Sequence, residues 1–215
     1  AFLLMDLDRH RQRRAANVVF NRYLARSNDD LDLRGLKALP LFLGVRSAVR
    51  ALVNAERAAQ EQNDQARGCA TQAQAYLQSA IGYLSPSQPQ LIAVGGPSGS
   101  GKTTLAAALA PEIGSAPGAI HVRSDLERKV LFGVRETVRL GADSYSLQVG
   151  QTVYEALRRK ARIALEAGHS VVVDAVYARS EERDGIGSLA GDIGVPFLGL
   201  WLEADLARLV ERVTV

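Results

Sequence analysis

The residues best equipped for chemistry lie in one run. Gly96, Pro97, Ser98, Gly99, Ser100, Gly101, Lys102 and Thr103 fit the spacing G-x-x-x-x-G-K-[ST] residue for residue, and Thr104 follows directly. Glycines at these positions let the backbone wrap so that successive N–H groups face phosphate oxygens, and a helix opening behind them adds its positive end. Lys102 would reach the β- and γ-phosphates, and the Thr103 hydroxyl is placed to ligate Mg²⁺. The apolar run LIAVG precedes the loop and the helical run GKTTLAAALAPEIG follows it, which is the setting a phosphate cradle requires. A dinucleotide fingerprint is excluded, because Lys102, Thr103 and Thr104 stand where its third glycine belongs.

Two carboxylates follow at the ends of apolar runs. Asp125 ends AIHVRSD and begins D-x-x-R with Arg128, and Asp174 ends SVVVD. Open parallel sheets place their sites at the carboxyl ends of strands, so both acids belong near the cradle. Phosphoryl transfer needs an acceptor hydroxyl in line with the γ-phosphate and a carboxylate that orients it or takes its proton. Asp125 suits that role, and Arg128, one helical turn on, would point the same way and hold an anionic or polar substrate group. The plainer reading has Asp125 capping its helix and Arg128 solvated. Asp174 has the apolar-run-plus-acid form that holds Mg²⁺ through water, or it could contact the acceptor. Of the two arginines beyond it, Arg179 is expected to face solvent, while Arg183 is open between the phosphates and solvent.

The elements that must position these groups divide into two styles. Helical periodicity predicts helices at about 9 to 27, 36 to 62 and 65 to 84, the first two separated by the polar turn SNDDLDLRG. The spacings Phe42, Val45, Val49, Leu52 and Cys69, Ala73, Tyr76, Ala80, Leu84 mark their apolar faces. SPSQPQ, Ser85 to Gln90, ends the last helix and makes a domain boundary. Strands and helices then alternate: LIAVG, AIHVRS, SVVVDAV and VPFLGLWLE read as strands, the last two as fully buried. DLERKVLFG starts a helix, and Ser144 to Ala167 forms another with Val153, Leu157, Ala161 and Ala164 on one face and Gly168 as its stop. The expected division is a helical segment 1–84, a linker 85–89 and an α/β domain 90–215.

Composition narrows the class. The chain has 215 residues, 47% of them apolar, enough for a packed core, and no apolar run approaches a membrane span. AFLLMDLDRHRQRR carries its apolar part before its basic part, the reverse of a secretory signal, so a cytosolic protein with no membrane partner is expected. The single Cys69 has no disulfide partner and is expected in a helical core. A net charge of +3 hides a cluster of Arg9, Arg11, Arg13, Arg14, Arg22 and Arg26. Such a cluster can bind nucleic acid, but without interleaved aromatics a solvated helix face is the expectation. The start at Ala1 and the amphipathic finish LARLVERVTV suggest a fragment.

GGPSGSGKTTLAAAL, VRSDLERKVLFG, VVVDAVYARSEER and FLGLWLEADLARLVERV together resemble the P-loop small-molecule kinases of the gluconate kinase, zeta-toxin and polynucleotide kinase type, over residues 90–215. The resemblance implies a P-loop NTPase three-layer α/β sandwich with a five-stranded parallel core, ATP with Mg²⁺ as donor, Asp125 as base and an arginine-bearing lid beyond Val215. AFLLMDLDRH, FNRYLARSNDDL and LPLFLGVRSAVRA resemble the final helices of an aminoglycoside phosphotransferase-like domain, whose active-site residues would lie upstream of Ala1. The expected activity is transfer of the γ-phosphate of ATP to a hydroxyl of a small molecule. The alternatives are a polynucleotide 5′-kinase-like enzyme, an ATP-regulated interaction protein, and a GTPase switch. The switch lacks N-K-x-D, and its D-x-x-G, Asp184 to Gly187, follows a polar stretch.

Overall fold

The computed structural model describes residues 1–205 and Leu209. Its first half is helical: α1 (Phe2–Arg9), α2 (Arg13–Ser27), α3 (Asp30–Gly35), α4 (Leu39–Gln60) and α5 (Asn63–Leu84). Arg11, at φ +59°, breaks the expected helix of residues 9 to 27 into α1 and α2. The expected polar turn contains α3, because Asp29 accepts from Leu31 N–H at 2.8 Å and Asp30 and Asp32 supply acid to the first turn.

The face that buries on α4 differs from the expected one. Phe42, Val45, Val49 and Leu52 are exposed, whereas Leu39, Leu43, Gly44, Ser47 and Ala51 are buried. Small residues decide this, since they let α5 approach. A Cβ on Gly44 would meet Leu84 at 3.0 Å, and the Ser47 hydroxyl donates to Tyr76 O at 2.8 Å. On α5, Tyr76 and Ala80 are buried, but Leu84 is exposed and Cys69 is half-buried, not core.

The second half alternates β1 (Leu91–Gly95), α6 (Lys102–Leu109), β2 (Ile120–Arg123), α7 (Ser124–Leu131), α8 (Leu147–Glu166), β3 (Val171–Asp174), α9 (Ser180–Ile193) and β4 (Phe197–Trp201). The strands form one parallel sheet in the order β2-β3-β1-β4. One face, with Ile92, Val94 and Val172, packs on Ala106 and Ala110 of α6 and the residues that follow it. The other, with Leu91, Ala93, Val122, Val171 and Val173, packs on Leu157 and Ala161 of α8 and Ile186 and Leu189 of α9. Burial on both faces explains the unbroken apolar run of β3. VPFLGLWLE does not match its expectation. Phe197, Leu198 and Trp201 are 43 to 49% exposed, and among the described residues β4 pairs with β1 alone. Four strands, not the five implied by the resemblance, occur among the described residues.

The other edge is covered by the helical segment. Asn17 Nδ2 donates to Ala119 O at 2.9 Å, Asn21 Oδ1 accepts from His121 N–H at 2.7 Å, and Arg13 donates to Pro111 O and Gly114 O at 2.6 and 2.5 Å. These bonds satisfy backbone groups of β2 and its approach, which an edge strand otherwise leaves open. Arg13 is therefore a clamp, not part of a solvated face. Phe20, Leu24 and Leu33 join Ile120, Val122 and Leu157 in one continuous core.

Candidate active site

The loop between β1 and α6 is shaped by its glycines and by what lies beneath it. Gly96 has φ +137°, and a Cβ there would sit 2.4 Å from Leu202 O. Leu202 N–H donates to Gly95 O at 2.9 Å, so the chain leaving β4 forms the floor of the loop. Gly101, at φ +94°, turns the chain into α6, whose first residue is Lys102. Lys102 is 9% exposed and its Nζ donates to Pro97 O at 2.7 Å, which holds the ammonium across the mouth of the loop. Burial lowers its pKa, and the charge of Asp174 works against that shift.

Asp174 ends β3 in register with Val94 of β1 and Arg123 of β2, which sets its carboxylate beside the loop. It is 4% exposed. Burial pushes its pKa up, but His121 and Thr103 against the carboxylate, with the charges of His121 and Arg123, outweigh burial and hold it below the ordinary value. His121 Nε2 lies 3.4 Å from Asp174 Oδ2 without hydrogen-bond alignment. Both atoms, and Ser100 Oγ, are buried with no hydrogen-bond partner. Buried polar atoms in native folds are ordinarily paired, and a bound ligand, ion or water beside the loop would complete this set. A hydroxyl and an ionised carboxylate are the oxygen donors Mg²⁺ prefers, so Thr103 and Asp174 fit the metal.

The sequence pattern of the AAA domain family matches residues 91–215, more than half of the chain. The chain belongs to the AAA domain family. Mb2027c of Mycobacterium bovis and Rv2004c of Mycobacterium tuberculosis, both uncharacterized, are each 29% identical to it over 218 residues. The alignments cover 99% of this chain and 41% of each relative, so the chain spans about two fifths of their length and both of its halves are included. A candidate kinase of Chloroflexus aurantiacus has a TM-score of 0.49 at 24% identity, over 59% of this chain and 66% of that one.

Around the nucleotide loop of this AAA domain, the remaining predicted residues separate. Asp125 lies in the first turn of α7 with a half-exposed side chain, 3.0 Å from Lys129 Nζ. It does not cap α7; the cap position is Arg123. Arg128 does not converge with Asp125. Its Nη1 donates to Ser144 O at 2.7 Å and its guanidinium lies 4.8 Å over the Tyr145 ring. The nearer helical neighbour at i+4, Lys129, takes the carboxylate instead. Arg128 lines a cleft of 1110 Å³ with Tyr145, Tyr154, Arg158, Arg179 and Glu182. Arg183 donates to Tyr177 O and Ala178 O at 2.8 and 3.0 Å and braces the turn after β3, while Arg179 is exposed. That turn is tied to the loop through Gly96 N–H to Val176 O at 3.2 Å, and to α8 through Tyr177 N–H to the Tyr154 hydroxyl at 2.8 Å. Burial pushes the Tyr154 phenol up to about 12 and that of Tyr177 higher, so both stay neutral.

Sequence reasoning missed His121. The signal was strand parity: β2 residues two apart share a face, and register with β3 puts His121 and Arg123 on the face of Asp174. Only the pairing partner, which no local pattern names, turns that parity into a site.

Proposed function

We propose that this chain is an ATP-dependent phosphotransferase that moves the γ-phosphate of Mg-ATP to a hydroxyl of a small-molecule acceptor. The observation that carries the reading is the buried Asp174 carboxylate, an oxygen of which lacks a partner, set against Thr103 behind a glycine loop whose lysine spans its mouth. Bound Mg²⁺ would neutralise charge developing on the transferred group. Loop N–H groups and Lys102 bind and orient the β- and γ-phosphates. In the transfer, the acceptor oxygen forms a bond to the γ-phosphorus, the bond from that phosphorus to the β-bridging oxygen breaks, and the hydroxyl proton passes to Asp125.

The test is incubation of the full chain with radiolabelled ATP and a panel of sugars, sugar acids, nucleosides and 5′-hydroxyl oligonucleotides. Asp125→Asn should lower transfer at least about 100-fold with nucleotide affinity unchanged. Transfer unaffected by that change refutes Asp125 as base. Hydrolysis to ADP with no labelled acceptor from any class refutes the phosphotransferase reading.

A further inference from the structure

A second concave site lies on the α2 side of the sheet. It is a pocket of 580 Å³ between α2, β2, α7 and the segment after α7, and Ala107 of α6, one turn beyond Thr103, forms part of its wall. Its charged lining is lopsided: Arg22 and Arg26 from α2, Arg123 from β2, Lys129 from α7 and Arg135 beyond it, against the single acid Glu136. Arg123 Nη1 pairs with Glu136 at 3.2 Å, and Lys129 with Asp125 at 3.0 Å. Arg22, Arg26 and Arg135 pair with no acid among the described residues. Arg123 Nε is buried without a hydrogen-bond partner.

Arg22, Arg26 and Arg135 are exposed, and like charges gathered around one hollow repel, which an anion held among them would relieve. Guanidinium groups match phosphate oxygens two N–H bonds at a time. Ala25, Leu126 and Val130 give the pocket apolar wall as well, suited to a carbon skeleton. A pocket of this size takes a small molecule; a nucleic-acid backbone would call for a longer charged track.

We propose that this pocket binds the phosphate group of a small phosphate monoester, with Arg22, Arg26 and Arg135 as its principal contacts. The site is separate from the nucleotide loop, and two of its five cationic side chains, Arg22 and Arg26, come from the helical segment that precedes the AAA domain. Because it sits on the sheet face that carries Asp174, a monoester held there lies next to the loop without occupying it.

Calorimetric titration of the full chain tests this. Phosphate compounds can also enter the nucleotide loop, so the titrations use Lys102→Ala as background. The ligands are glucose 6-phosphate, inorganic phosphate, glucose and a twelve-nucleotide single strand. Saturable binding of glucose 6-phosphate is expected, weakened at least about tenfold by Arg22→Ala/Arg26→Ala and separately by Arg135→Ala, which lies on an exposed segment outside the core. Arg11→Ala/Arg14→Ala removes the same number of charges from outside the pocket and should leave binding unchanged. Equal loss in that control reduces the effect to net charge and overturns the proposal. Glucose binding as tightly as its phosphate, inorganic phosphate binding as tightly as the ester, or binding of the single strand alone overturns it as well. Binding is read without turnover, so the pocket is tested even in a chain that transfers no phosphate. With Lys102 intact, retained Mg-ATP binding by Arg22→Ala/Arg26→Ala shows that the two sites are distinct, and its loss overturns that distinction.

Discussion

Replacing Asp174 with Asn keeps the shape of the residue and removes the charge that the loop has been built around. The side chain is 5% exposed, so water cannot take over the role of the lost oxygen. Groups that hold or orient a metal ligand typically change metal affinity about 10- to 100-fold when altered. At a Mg-ATP concentration about 100 times the wild-type Kd, binding stabilises the folded protein by about 2.7 kcal/mol. For a chain of this length that is a rise in Tm of about 5–11 °C. A 100-fold weaker variant at the same concentration is only half saturated, so its stabilisation falls to about 0.4 kcal/mol, a rise of about 1–2 °C.

Thermal unfolding with Mg-ATP, with ATP and EDTA, and with neither gives the comparison, each variant being read against its own ligand-free Tm. That reference matters because Asp174 also contributes to stability unaided. Its pKa in the folded protein lies below the ordinary 3.8, so the contribution is present above that value and is lost as pH falls through the folded pKa. If Asp174→Asn keeps the full shift with Mg-ATP, and chelation leaves that shift unchanged, the buried oxygen is not a metal position and the reasoning from orphaned atoms fails.

Three other outcomes follow from the same geometry. Gly96→Ala places a methyl carbon 2.4 Å from Leu202 O at a φ of +137°, so it should cost at least about 2 kcal/mol and lower Tm by about 4–8 °C; an unchanged Tm would mean that the floor of the loop moves freely. Arg13→Ala removes two charged hydrogen bonds to the segment between α6 and β2 and should cost about 2–3 kcal/mol in urea unfolding, whereas an exposed helix arginine would cost almost nothing. His169 is buried against Leu36 O at 3.0 Å and its pKa is lowered, chiefly by burial, so its neutral form stabilises the protein above about pH 6.5 and that stability declines as pH falls toward the folded pKa. His169→Gln should flatten the fall in Tm between about pH 7 and 5.5, and an unaltered slope would assign the fall to other groups.

What could be read from the sequence was what the chain writes contiguously. The loop needs glycines, a lysine and a threonine within eight positions, and the structure sets Lys102 and Thr103 beside Asp174 as neighbours of one loop. The triple valine of β3 announces a strand covered on both faces, and both faces are covered. Features fixed by partners distant in sequence were not legible. On α4 two stripes carry helical spacing, and close approach at Gly44, Ser47 and Ala51 selects the smaller one, against the more apolar set of Phe42, Val45, Val49 and Leu52. Arg128 shares a helix turn with Asp125, yet the free carbonyl of Ser144 and the Tyr145 ring draw it the other way. VPFLGLWLE has the composition of a central strand, yet among the described residues it stands at one end of the strand order.

The same distinction changes the standing of the helical segment. Read along the chain, Ser85 to Gln90 looks like a boundary between a helical piece and a nucleotide domain. In three dimensions the β2 edge is finished by α2: Asn21 accepts from His121 N–H, Asn17 donates to Ala119 O, and Arg13 holds the carbonyls of Pro111 and Gly114. His121 faces Asp174, so the helix that fixes the backbone of His121 also fixes one wall of the candidate metal position. An α/β layer without α2 would leave those backbone groups open at an edge strand and open the shared core at Ile120 and Val122. The helical segment thus acts on the site through β2, and a change in how α2 docks would reach Asp174 through two hydrogen bonds and one ring.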